Sequence, residues 1–199
     1  MTAGRGIIHR ELAFRNEHAH TLQLWVNLPA ADKLVETRYQ DLRQTAQAVH
    51  NERGVKVQVI SGTTEGVKGP ALNHHPIIGL ILTLDPGTTY SQLLPVDHRA
   101  FAFVLDGRPW IGHRLVEKDQ IAWSDPVAQG GEGSMLPLRT PDGDQQTRIM
   151  LFAGRPLGEL VVAGGPFVMN SRDEIEQAFR DFRSGKFGPV PRAARLQTR

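Results

Sequence analysis

Metal binding is the first chemistry that the spacing of side chains in this sequence offers. His9-Arg10-Glu11 sets an imidazole two residues from a carboxylate. In a strand, residues i and i+2 point to one face, so the pair could offer a nitrogen and an oxygen donor to one divalent cation. Spacing alone fits a surface or hydrogen-bonded pair better, because two donors rarely hold a metal. His18-Ala19-His20 repeats the spacing with two imidazoles. A facial set of two histidines and a carboxylate could be drawn from His9, Glu11 and one of these. The polar run Arg15-Asn16-Glu17-His18 fits a loop better. His74 and His75 are neighbours, so in a strand they face opposite ways and make a poor chelate. His98, His50 and His113 read as exposed polar residues.

Other chemistries are narrowed by composition. With no cysteine, thiol nucleophiles, zinc–thiolate sites, disulfides and iron–sulfur clusters are excluded. There is no G-x-S-x-G, and Gly130-Gly131-Glu132-Gly133 lacks the Lys-Ser/Thr of a phosphate-binding loop. The 23 Lys+Arg against 21 Asp+Glu leave a net charge of +2, and aromatics are 7% of the chain. Both values argue against a nucleic-acid partner. No apolar window is long enough to span a membrane, and the first residues form no signal-like apolar run. A cytoplasmic location with no membrane partner is the expectation.

These side chains must be carried by elements, and the sequence points to strands. Its 20 glycines and 13 prolines among 199 residues favour many turns. Leu22, Leu24, Val26 and Leu28 alternate with polar or amphipathic positions, the pattern of a half-buried strand ended by Pro29. Val55, Val57 and Val59 alternate, 77–84 is a continuous apolar run, and Phe101, Phe103 and Leu105 alternate again. Strands are also expected over 135–138, 148–153 and 160–162, with Pro141-Asp142-Gly143 as a turn. Over 30–53, Tyr39, Leu42, Ala46 and Val49 recur at helical spacing, which fits an amphipathic helix or an irregular linker. One helix is clearly signed. Ser171-Arg172-Asp173-Glu174 is a capping box, Ile175, Ala178, Phe179 and Phe182 form one stripe, and Gly185 stands where a terminating glycine belongs. Many short strands between Gly/Pro turns predict a sandwich or barrel.

Longer motifs carry a resemblance. Residues 1–11, then Leu22-Gln23-Leu24-Trp25-Val26-Asn27-Leu28-Pro29, then Gly165-Pro166-Phe167-Val168-Met169-Asn170 resemble the pirin family, and the similarity runs to about Gly188. The resemblance implies a mostly-β fold: a cupin (double-stranded β-helix, jelly-roll) barrel, a remnant of a second cupin, and a C-terminal helix. The expected organisation is 1–33 as the remnant of the N-terminal, metal-site cupin and 34–54 as a linker. The C-terminal cupin would occupy 55–170, the helix packing across the domains 171–188, and a flexible tail 189–199.

Pirins hold one iron through three histidines and a glutamate, so the resemblance makes His9 and Glu11 metal ligands and Glu11 a general base as well. His18 and His20 fall on no ligand position. The family's upstream H-x-H is not matched, and Met1 aligns with an internal methionine of the family. The expectation is therefore an N-terminally truncated chain that holds Fe2+, or another divalent metal, weakly. Its edge at 22–28 would be exposed, and a homodimer through that edge is expected. The resemblance implies a flavonol (quercetin) 2,3-dioxygenase acting with dioxygen, with its activity impaired in this chain because the upstream H-x-H ligands are missing. The alternative is a non-catalytic, iron- and redox-dependent regulator that binds a transcription factor or a metabolic enzyme. The second cupin, with only His98 where an H-x-H would stand, is expected to hold no metal.

Overall fold

Alternation of apolar and polar residues builds the strands, and the burial pattern shows which face won. The computed structural model describes residues 1–9, 18, 20–42, 48–125, 133–143 and 145–189. They form two compact units: the described residues of 41–156, and those of 1–40 together with 157–189.

The unit 41–156 is built of strands. In chain order these are β1 (Ala48–Glu52), β2 (Val55–Ser61), β3 (Thr63–Thr64), β4 (Val67–Lys68), β5 (Ile77–Leu84) and β6 (Thr89–Leu94). There follow β7 (Arg99–Asp106), β8 (Trp110–Ile111), β9 (Arg114–Leu115), β10 (Ile121–Trp123), β11 (Ser134–Arg139) and β12 (Thr147–Gly154). One antiparallel sheet has the order β1-β2-β5-β12-β7-β10, and a second has β6-β11-β8-β9. The core lies between them. Val55, Val57, Val59, Leu80, Leu82, Leu84, Ile149 and Leu151 come from the first sheet, and Tyr90, Leu94, Ile111 and Leu138 from the second. This is the mostly-β sandwich or barrel that the turns and alternations predict, and the two-sheet cupin architecture that the resemblance implies.

The strands at 55–61, 77–84 and 148–153 stand close to where expected. In β7 the inward face is Ala100, Ala102 and Val104. The larger Phe101, Phe103 and Leu105 line the half-buried opposite face, where Phe101 packs against Trp123 and Phe152 with ring centroids 5.1 and 5.5 Å apart. Alternation alone does not say which of two apolar faces is the inner one. The composition shift after Arg53-Gly54 marks a hairpin turn and not a unit boundary. Across it Glu52 pairs with Val55, and Gly54 takes φ +74°, a conformation glycine adopts freely. A strand therefore lies inside the stretch expected as a linker. No amphipathic helix forms over the described part of 30–53: it holds a single 3-10 turn (Ala30–Asp32), and Val49 belongs to β1.

The other unit has a hairpin of β13 (Val162–Gly164) and β14 (Phe167–Met169), followed by α1 (Arg172–Arg183). β13 begins two residues later than expected, leaving Leu160 and Val161 exposed. Residues 22–28 form no strand: Leu22, Leu24, Trp25 and Val26 are all exposed, and no described strand pairs with them. The expected tail lies mostly outside the described residues. No described helix is long and apolar enough to cross a membrane.

The helix ends are as the sequence predicts. Ser171 Oγ accepts from Glu174 N–H at 3.3 Å, and Glu174 Oε2 accepts from the Asn170 N–H at 3.0 Å. At the other end Lys186 N–H reaches Asp181 O and Gly185 N–H reaches Phe182 O, a Schellman closure around Gly185 at φ +79°. Hydrogen bonds from the Ser171 hydroxyl and the Asn170 N–H hold the Glu174 carboxyl below the ordinary glutamate range. A depressed carboxylate stabilises the fold above its unfolded-state pKa, and that contribution is lost as pH falls through the depressed value. Ser171→Ala is expected to cost about 1 kcal/mol and to shrink this acid-side loss. Amide exchange of 172–175 measured from neutral to acidic pH checks both.

Candidate metal centre

The segment that carries His9 forms no strand beyond the single bridge at Thr2, and two glycines fix its course. Thr2 pairs with Arg38 through two backbone hydrogen bonds, and Arg5 N–H donates to Val35 O. Gly4 has φ +49°, and a Cβ there would fall on the Val35 carbonyl oxygen. Gly6 has φ +125°, and a Cβ there would fall into the Phe187 ring. A side chain at either position would push the segment off its neighbours.

His9 emerges from this support exposed to solvent. Glu11, its expected partner, lies outside the described residues. His18 and His20 are exposed. Among the described residues no three His, Asp or Glu side chains gather where a metal could sit. His9 with Glu11 can supply two donors, and two leave most of a six-coordinate shell to water. On their own these residues do not make a tight iron site.

The motifs on which the resemblance rests do build a frame. Lys33, only 6% exposed, donates from Nζ to Asn27 Oδ1 at 2.7 Å. Burial pushes its ammonium below the ordinary lysine range, while the charges of Glu159 and Glu174 oppose that shift. Glu159 Oε2 accepts from Ala30 N–H at 2.7 Å and from Asn170 Nδ2 at 3.1 Å, and Asn170 Nδ2 also reaches Leu160 O. Asn27, Lys33, Glu159 and Asn170 thus tie three stretches of chain together around the start of α1. Sequence reasoning passed over them. The signal was present, because both asparagines end apolar runs at turns.

Within the unit 41–156, His98 and His50, both read as exposed, turn out otherwise. The His98 side chain is 10% exposed, and its Nδ1 pairs with Asp97 Oδ1 at 2.7 Å. That bond, with the His98 and Arg155 charges, holds the Asp97 carboxyl below its usual range. His75 Nε2 meets Arg155 O at 2.9 Å. His50 is half-buried on β1. Between the sheets Gln92 is buried and satisfied: its Nε2 reaches Thr64 Oγ1 and Leu93 O, while its Oε1 accepts from the Tyr90 hydroxyl. Burial, then the Glu65 charge, pushes the Tyr90 phenol up, with Glu52 adding to it and the Thr64 hydrogen bond opposing.

Comparison with known proteins agrees with this architecture. The family model described as the pirin C-terminal cupin domain matches residues 80–188. Human Pirin is 40% identical over 188 residues, covering 94% of this chain and 64% of its own length. Pirin-1 of Arabidopsis thaliana is 38% identical with the same coverage. Among solved structures, a quercetin 2,3-dioxygenase from Acinetobacter baumannii superposes with a TM-score of 0.74 at 28% identity, covering 84% of this chain and 56% of that one. GK1651 from Geobacillus kaustophilus gives 0.63 at 34% identity, covering 68% and 53%. The chain thus spans less than two thirds of the length of these relatives. A matched family model over more than half of the sequence, on a two-sheet cupin fold framed by the quoted motifs, makes the chain a member of the pirin family.

Proposed function

We propose that this chain is a pirin-like cupin protein that binds ferrous iron through His9 and Glu11 and serves flavonol 2,3-dioxygenation. The observation that carries the reading is the likeness to a solved quercetin 2,3-dioxygenase at 28% identity and a TM-score of 0.74. His9 suits the role because its imidazole is exposed on a segment pinned by Gly4 and Gly6. Bound iron would supply the redox chemistry toward dioxygen. What the chain itself would add is a nitrogen donor at His9 and, at Glu11, an oxygen donor able to accept the flavonol hydroxyl proton.

The test is ferrous iron and quercetin added to the full chain, with flavonol absorbance and oxygen uptake followed together. Iron-dependent loss of flavonol is expected, and His9→Ala should lower both iron affinity and turnover by about 10–100-fold, the range seen when metal-site partners are lost. Stoichiometric iron binding without turnover would replace this reading with that of a non-catalytic iron-dependent regulator. Iron binding indifferent to both His9→Ala and Glu11→Gln would overturn it.

A further inference from the structure

A second His-x-Glu pair lies on β1. His50 and Glu52 are two residues apart in a paired strand, so they share a face. The register identifies that face. His50 stands opposite Val57 and Glu52 opposite Val55, and both valines are buried in the core. Directly opposed residues of an antiparallel pair point the same way, so the pair lies on the core-facing side of an edge strand, at the rim of the sheet.

The two groups stand close without forming a hydrogen bond. His50 Nε2 stands 3.6 Å from Glu52 Oε2, beyond hydrogen-bond reach. The His50 side chain is 23% exposed, yet its Nε2 is buried and has no hydrogen-bond partner among the described residues. A buried nitrogen left unpaired is costly, and native structures leave few of them. Two donors each about 2.0–2.2 Å from a tetrahedral ion stand about 3.4 Å apart. The observed gap is close to that spacing. Glu52 is 47% exposed, which leaves the carboxylate open to an arriving ion.

We infer that His50 and Glu52 form a divalent-cation site at the rim of the unit 41–156, taking an ion of zinc-like preference through imidazole nitrogen and carboxylate oxygen. Solvent completes its shell from the side of the exposed Glu52 carboxylate. The site is open and exchangeable, since two protein donors make neither a closed structural site nor a tight one. It does not depend on the reading of His9 and Glu11.

Zinc alone is the probe, added to chelator-stripped full chain. Binding is followed by calorimetry, and the His50 imidazole is followed by proton–nitrogen correlation spectra. Zinc is expected to shift the His50 Nε2 resonance in the wild-type chain. His50→Ala should weaken the binding tenfold or more, Glu52→Gln should weaken it less, and His9→Ala should leave the His50 shift in place. His50→Gln, closer in size, repeats the measurement should the alanine variant unfold. A His50 resonance unmoved by millimolar zinc, or zinc affinity unchanged in the His50 variants, would overturn the assignment.

Discussion

Leu82→Ala is expected to lower the unfolding free energy of the unit 41–156 by about 2–5 kcal/mol, the range for deleting a fully buried leucine. Leu82 is 0% exposed and sits on β5, which is paired on both sides: Leu82 lies opposite Val57 of β2 and opposite Ile149 of β12. Those two neighbours are themselves fully buried and β-branched, with few rotamers available to fill a gap. The cavity term is therefore added to the transfer term, which places the cost in the upper half of the range. Ile81→Ala, on the half-buried opposite face of the same strand, should cost clearly less. Urea unfolding of both variants, read by tryptophan fluorescence, gives the comparison. Equal losses would mean that the two faces of β5 are equally buried and that the core does not lie between the sheets.

That contrast marks what the sequence made legible. The run 77–84 was readable as a strand because nearly every position is apolar and Asp85-Pro86-Gly87 stops it. Which side of β7 faces the core was not readable, because both faces are apolar and the smaller one is buried. Residues 22–28 show the opposite case. Their alternation is clear, yet a strand exists only beside another strand, and no described strand pairs with them. The α1 caps were fully legible, since each is set by contacts within a few residues of chain.

The candidate site was legible in proportion to its locality. His9 could be singled out, but its exposure depends on Gly4 and Gly6 meeting Val35 and Phe187, about 30 and 180 positions away in the sequence. His50 read as exposed because an isolated histidine in a polar stretch carries no local signal. Only the register with Val57 shows it facing inward. Lys33 was hidden for the same reason: its partner Asn27 is near, but the carboxylates that offset its burial belong to residues 159 and 174.

Gly164→Ala is expected to release α1 from the hairpin beneath it. Gly164 ends β13, and a Cβ there would lie 2.5 Å from Ile175 Cγ2, well inside van der Waals contact. Ile175 is the buried side chain of α1, so it has no open direction in which to retreat. Overpacking of this kind costs about 1–3 kcal/mol, against a helix of 12 residues that is marginal without tertiary support. The next glycine strengthens the case. Gly165 has φ +55°, and a Cβ there would come within 2.9 Å of the Phe179 ring, which packs edge-on against Phe167 with centroids 5.0 Å apart. Gly158 supplies the control. It has φ +68° with nothing within 4 Å, so Gly158→Ala pays only the left-handed strain of about 1–2 kcal/mol. Hydrogen exchange separates the two outcomes. Gly164→Ala should strip protection from 172–183 while the strands of 41–156 keep theirs, because local units open with their own free energies. Gly158→Ala should leave the helix amides largely protected. Wild-type protection of α1 in the Gly164 variant would show that the close approach to Ile175 is not what holds the helix.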